Sequence, residues 1–303
     1  MEISNDNNNN NDDFYLQYIS DIHLEFWKNK YPKIEPIKSG KSYLTLLGDI
    51  GYPHSKNYED FLKYHSELFV NIFIVSGNHE YYTSKKKQYA MNEIEDKIRN
   101  VCSNFPNVIY LQKSSFKVQN TLFLGCTFWT NLELCNNFKH YMNDYNNIYI
   151  KNEDISYGRR YNSNPEYFSY GNKKEYIQPF KEHLEIHHIQ EKHLEMKSWL
   201  FNEIENNQDK NIIVLTHHPP TFKMLEDHNL IDQDGLLKYF YASDLDEEIK
   251  KYTHIDYWLC GHTHLNKDIM IGDLTEVKSN CMGYKSESIK SFDIKKYILL
   301  SKN

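Results

Sequence analysis

The stretch Asp256-Tyr257-Trp258-Leu259-Cys260-Gly261-His262-Thr263-His264 decides the fold. A run of strand length, Asp256–Leu259, stops near a glycine and delivers two histidines two residues apart. Glycine lets the backbone turn sharply where a strand ends. Histidines in that position have little use in packing, whereas ligands of open α/β sheets sit outside the carboxyl ends of the strands. Working outward, four more blocks repeat the arrangement. Leu16–Ile19 precedes Asp21-Ile22-His23, and Tyr43–Leu47 precedes Gly48-Asp49-Ile50-Gly51. Ile72–Val75 precedes Gly77-Asn78-His79-Glu80, and Ile212–Leu215 precedes Thr216-His217-His218-Pro219-Pro220. Taken singly, each block also reads as a turn or a helix cap. Taken together, five strand ends bring carboxylate, amide and imidazole groups to one place, with enough ligands for two metals. That donor set suits Mn, Fe, Zn or Co rather than a sulfur-loving metal.

The rest of the chain fits an α/β class. Val108–Leu111 and Thr121–Leu124 read as further strands, and Asp268–Ile271 with Leu274–Lys278 as a hairpin across Gly272-Asp273. Helical periodicity covers Tyr58–Val70, Lys85–Val101, a stretch within His183–Glu205 and Leu245–Tyr252. His183 and His187 stand four apart, but not in the order of a zinc-protease helix, and read as a solvated helix face. Residues 1–13 form an Asn-rich tail expected to be disordered, and 14–303 a single domain. Within that domain Asn136–Gln178 is rich in Tyr and Asn and lacks periodicity, which marks it as an excursion, either a lid or an insertion.

Composition narrows the function. The 303 residues carry 35 basic and 42 acidic side chains, a net charge of -7. That balance does not favour long duplex nucleic acid or an anionic membrane as partner, since both reward basic stripes. No apolar run approaches the roughly 18 residues of a membrane span, and the first residues lack a basic-then-apolar signal. Five widely spaced cysteines without a C-x-x-C pair argue against a disulfide framework and for a reducing, intracellular, cytoplasmic setting.

In order, the blocks D-x-H, G-D, G-N-H-E, H-H-P-P and G-H-x-H resemble those of the calcineurin-like metallophosphoesterase superfamily over about residues 16–284. Gly125 to Thr130, Met142-Asn143-Asp144-Tyr145, Ala242-Ser243-Asp244-Leu245 and Asn280 to Tyr284 resemble blocks of a bacterial and phage branch of it. The resemblance implies two β-sheets packed face to face with helices outside, a four-layer α/β/β/α sandwich. It also implies a dinuclear site of two divalent ions (Mn2+, Fe2+/Fe3+ or Zn2+). Asp21, His23, Asp49 and His264 resemble the ligands of the first metal, and Asp49, Asn78, His217 and His262 those of the second, with Asp49 bridging. The implied reaction is attack of a metal-bridging hydroxide on a phosphomonoester or small phosphodiester. His79 resembles the histidine that serves the leaving oxygen.

The chain departs from the pattern in places. After Gly48-Asp49 it reads Ile50-Gly51-Tyr52-Pro53, without the Asp that elsewhere in the superfamily orients the histidine. Asn280-Cys281-Met282-Gly283-Tyr284 lacks the Arg common at its centre, and Asn131 follows Trp129-Thr130 where an Asp is common. The only arginines are Arg99, Arg159 and Arg160, so metals, histidines and asparagines must do most of the phosphate recognition. Arg159, Arg160 and His218 are the candidate substrate contacts. Two alternatives stand beside the small-ester hydrolase: a nuclease of the same superfamily, and a catalytically idle binding module. All seven ligand positions and His79 are present, which favours an enzyme over an idle module.

Overall fold

The computed structural model describes residues 13–28, 30–83, 88–135, 142–151, 181–226 and 235–300. The element order is β1 (Phe14–Ile19), β2 (Ser42–Leu47), α1 (Lys56–Ser66), β3 (Ile72–Val75), α2 (Met91–Cys102), β4 (Val108–Tyr110), β5 (Ser114–Val118) and β6 (Thr121–Cys126). It continues with α3 (Asp144–Asn147), β7 (Tyr149–Lys151), β8 (Lys181–His183), α4 (Ile186–Asn206), β9 (Asn211–Thr216) and α5 (Asp246–Ile249). β10 (Ile255–Cys260), β11 (Asp268–Ile271), β12 (Thr275–Ser279) and β13 (Tyr297–Leu300) complete it.

Two mixed sheets form the centre, in the orders β13-β1-β2-β3-β4 and β11-β12-β10-β9-β6-β5. In the first sheet β1 to β4 are parallel, and in the second β12, β10, β9 and β6 are parallel. Antiparallel β13, β11 and β5 lie at edges. The inner parallel strands are buried almost throughout, as in β3 (Ile72-Phe73-Ile74-Val75). Strands covered on both faces have to read as continuous apolar runs. The layer between the sheets contains Leu16, Tyr18, Leu47, Phe73, Phe123, Ile213, Leu215 and Leu259, with the Phe73 and Phe123 rings stacked at 4.5 Å.

The opposite sheet faces join the apolar stripes of the helices. These are Tyr58, Phe61 and Leu62 of α1, Ile94 and Ile98 of α2, and Ile189, Met196, Leu200 and Ile204 of α4. Recurrence every three to four residues places each stripe on one face. His65 belongs to this packing. It is fully buried, its Nδ1 bonds to the Phe61 carbonyl at 2.8 Å, and its Nε2 accepts the Ile34 N–H at 3.0 Å.

The sandwich is the one the sequence implies, with local differences. β5 alternates polar and apolar residues and buries only Val118, and β13 alternates exposed and buried, so neither shows an apolar run. α1 ends at Ser66 and α5 is a single turn. His183 lies in β8, before α4 begins, so it shares no helix face with His187. The front of the expected excursion packs against the core. Asp144, Tyr145, Ile148, Tyr149 and Ile150 are buried, and β7 pairs with β8. The remainder of that stretch, with Arg159 and Arg160, lies outside the described residues, as does the tail up to residue 12. All five cysteines are buried and no disulfide joins them. Among the described residues no helix is long and apolar enough to cross a membrane.

Candidate metal centre

β1, β2 and β3 of one sheet and β9 and β10 of the other end on the same side of the sandwich, and their exits are stitched together. The Asp21 N–H donates to the Gly48 carbonyl (3.0 Å), His23 N–H to Asp49 (2.9 Å) and Gly261 N–H to His217 (2.8 Å). Asp21, His23, Asp49, His262 and His264 all have left-handed backbones, with φ of 55, 52, 54, 73 and 54°. Asp and His are among the side chains that enter this region most readily, though at a cost of order 1 kcal/mol or more each. The strand exits pack so closely that a Cβ on Gly48 would stand 2.5 Å from His217 Nδ1.

Three sets of side chains converge, each with donor atoms within 4.8 Å of one another: Asp21, His23 and His264; His23, Asp49 and His79; Asp49, His217 and His262. Asn78 joins the last set, its Oδ1 lying 3.1 Å from His217 Nε2. The structure thus brings together all seven sequence-predicted ligands and His79. It does not bring His218 to the cavity wall. That ring is 1% exposed, set between Trp129 and His262, with Nδ1 3.2 Å from the Thr127 carbonyl.

The outward-facing atoms of His23, His264, His217 and Asn78 are engaged. His23 Nδ1 meets Glu25 Oε1 at 3.0 Å, His264 Nδ1 meets Glu287 Oε2 at 2.6 Å, and His217 Nδ1 meets the Leu47 carbonyl at 2.8 Å. Those oxygens require N–H donors, so each Nε2 faces inward, bare or holding a proton that a cation displaces. Asn78 likewise donates its amide outward to Asp144 Oδ1 at 2.8 Å and turns its oxygen in. Inside, the rings crowd one another: His23 Nε2 is 3.2 Å from His264 Nε2, and His262 Nε2 is buried with no hydrogen-bond partner among the described residues. A buried polar atom without a partner is costly. Cations would satisfy this inward set, so the residues fit the metals that the blocks imply.

Electrostatics point the same way. Burial pulls His217 down to about 4 and holds His262 well below the ordinary histidine value, so both are neutral imidazoles able to ligate. Burial opposes charge on Asp21, but the His264 hydrogen bond and the attraction of the surrounding histidines together outweigh it and hold the carboxyl below its usual range. Burial raises Asp49, and the neighbouring Glu80 and Asp21 raise it further. A buried carboxylate raised by its own kind is an attractive seat for a cation.

Several supporting residues carried no prediction. Glu80, 1% exposed, accepts the N–H groups of Gly77 (2.6 Å), Asp49 (2.9 Å), Ile50 (2.7 Å) and Gly51 (3.3 Å), tying two ligand loops to one carboxylate. Its signal was its place beside His79. Asp144 holds Asn78 and also accepts the Tyr82 hydroxyl at 2.5 Å, and Glu287 holds His264. Both are distant in sequence and sit in no ligand-like spacing. Over the site lies a cavity of about 330 Å³ lined by Asp49, Asn78, His79, Tyr82, Tyr241 and Tyr284 among others.

Comparison with known proteins agrees with this architecture. The sequence profile of the calcineurin-like phosphoesterase family matches residues 18–266, and the chain belongs to that family. An uncharacterised protein of Acanthamoeba polyphaga mimivirus is 27% identical over 291 residues, covering 90% of this chain and 92% of the viral one. The solved phosphopantetheinyl hydrolase of Mycobacterium tuberculosis shares the fold, with a TM-score of 0.61 at 12% identity over 96% of each chain. A dimetal phosphatase from Danio rerio superposes with a TM-score of 0.46 at 11% identity over 88% of this chain and 86% of that one. The family is one of metal-dependent phosphoesterases, and the His/Asp clusters are this chain's candidate metal site.

Proposed function

We propose that the chain hydrolyses a small phosphoester, monoester or diester, at two metal cations such as Mn2+, Fe2+/Fe3+ or Zn2+. The observation that carries this reading is the inward convergence of ligand atoms from two sheets, with His262 Nε2 buried and without a partner among the described residues. Asp21, His23, Asp49 and His264 would hold one cation and Asp49, Asn78, His217 and His262 the other. Such a pair supplies charge neutralisation for the phosphoryl oxygens and a nucleophile drawn from water near neutral pH. Asp49 is the carboxylate best placed to serve both, being 3.5 Å from His217 Nε2 and 3.9 Å from His23 Nε2. Asn78 adds a ligand without adding negative charge against a phosphate.

His79 is assigned the leaving oxygen. Its ring lies at the cavity wall, stacked on Tyr82 at 4.2 Å, with Nε2 3.2 Å from the Tyr284 hydroxyl. A proton on Nε2 would pass to the leaving oxygen as its bond to phosphorus breaks. The cavity of about 330 Å³ supports a small ester over a polymer track.

Metal stripping and reloading test the reading. Elemental analysis of manganese-loaded protein should find two cations per chain, and chelation should remove turnover of chromogenic mono- and diesters. Chelation should also lower the melting temperature, since a cation at 1,000 times its Kd adds about 4 kcal/mol of stability. Full turnover in a preparation without metal above background would overturn it. His79→Ala should lower turnover by about 10²–10⁴-fold with the cations retained. Loss of metal in that variant would place His79 among the ligands instead.

A further inference from the structure

The loop after β2 offers no carboxylate beyond Asp49, which takes the His79 backbone N–H, yet the ring is held. Glu25 comes from a different place, the 3-10 turn Leu24–Phe26 directly after His23. The chain enters that turn through the left-handed backbone of His23. It is pinned there by Leu24 N–H on the Ile50 carbonyl (2.8 Å) and by the Trp27 indole on the Ile22 carbonyl (2.9 Å). The Glu25 side chain is 4% exposed, and its Oε1 lies 3.2 Å from His79 Nδ1 and 3.0 Å from His23 Nδ1. Its Oε2 is buried with no hydrogen-bond partner among the described residues, so within that set the two histidines are what offsets burying this carboxylate. A buried carboxylate survives only where its hydrogen bonds are good.

The other contacts of the His79 ring do not fix its tautomer. Tyr82 presents a flat face, and the Tyr284 hydroxyl can donate or accept. Glu25 can only accept when ionised. We infer that Glu25 is the positioning residue of His79: by accepting the Nδ1–H it fixes tautomer and ring plane, and so aims Nε2 into the cavity. This rests on the reading of His79 as the residue serving the leaving oxygen. The competing role is that Glu25 supports His23 alone, as an outer carboxylate on a metal ligand, whose loss costs about 10–100-fold in metal affinity or activity.

Leaving-group dependence separates the two roles. Help from an acid matters more for phenoxide, with a conjugate acid near pKa ~10, than for the better leaving nitrophenoxide. At saturating metal, Glu25→Gln should lower kcat on a phenyl phosphoester by about 10²-fold and on its nitrophenyl counterpart by about 10-fold or less. Glu25→Asp should fall between Glu25→Gln and the unaltered protein. In the His79→Ala background, adding Glu25→Gln should change the ratio between the esters by less than about 3-fold, because residues acting as one unit are not additive. Equal losses on both esters, or losses that multiply in the double variant while His79→Ala alone discriminates between the esters, would overturn the inference and leave the His79 reading intact. If His79→Ala itself treats the esters alike, the reading fails and the inference with it. Nitrogen-15 NMR of the unaltered, zinc-loaded protein gives a readout independent of turnover and of variant folding. It should show the proton of His79 on Nδ1, and a bare Nδ1 would overturn the inference.

Discussion

Asp49→Asn is expected to abolish turnover, by at least ~10⁴-fold, and to weaken binding of both cations. Asp49 contributes to two of the three converging sets and is 2% exposed, so no water can replace the lost charge. Two cations roughly 3.5–4 Å apart need a shared anion between them, and an amide supplies none. The substitution is clean because asparagine tolerates the left-handed backbone at this position (φ 54°) as well as aspartate does. The amide oxygen can also still accept the His79 N–H that Asp49 Oδ1 now takes at 2.8 Å. The fold should therefore survive while the site fails. Metal content and kcat on one preparation check this, and a variant with two cations and full turnover would remove Asp49 from the shared role proposed for it.

Gly77→Ala should be nearly as damaging by a different route. The backbone of Gly77 is not left-handed, so the obstacle is space alone. A Cβ there would overlap the Asp49 carboxylate, lie 2.6 Å from the Asp49 nitrogen and 2.7 Å from His217 Cε1. None of those atoms is the free end of a flexible chain. Glu80 also grips the Gly77 and Asp49 nitrogens, so the two loops cannot part without breaking its hydrogen bonds. Overpacking of this kind costs about 1–3 kcal/mol, and a displacement of about 1 Å at a reacting centre costs about 10²-fold in rate. Thermal unfolding and turnover measured side by side should both fall. A variant that melts and turns over like the unaltered protein would mean that the loops have room to move.

Much of the site was legible because liganding residues here follow directly on apolar strands, so a one-dimensional pattern marks a three-dimensional convergence. His217 after Asn211–Thr216 and His262 after Ile255–Cys260 needed only the strand and its end. The outer carboxylates were not legible. Asp144 reaches Asn78 across 66 positions, and Glu287 reaches His264 across 23, with nothing in local periodicity to announce either. Histidine count alone would mislead. His65 and His193 are buried on backbone carbonyls with pKa pulled down to about 4 by burial, and serve packing. The edge strands β5 and β13 escaped for a physical reason as well. With one face toward solvent they need no apolar run, only alternation over four or five residues.

The ligand set is divided between the two sheets. Asp21, His23, Asp49 and Asn78 follow strands of one, whereas His217, His262 and His264 follow strands of the other. Each proposed cation would therefore act as a rivet through two plates otherwise joined by the greasy layer around Phe73 and Phe123 and by a few hydrogen bonds, such as that of His217 Nδ1 with the Leu47 carbonyl. Apolar layers resist separation but yield to small sliding, because burial carries no direction. Sliding of a fraction of an ångström would spoil the coordination long before it exposed the core. On warming, such a molecule would fall silent first and come apart later.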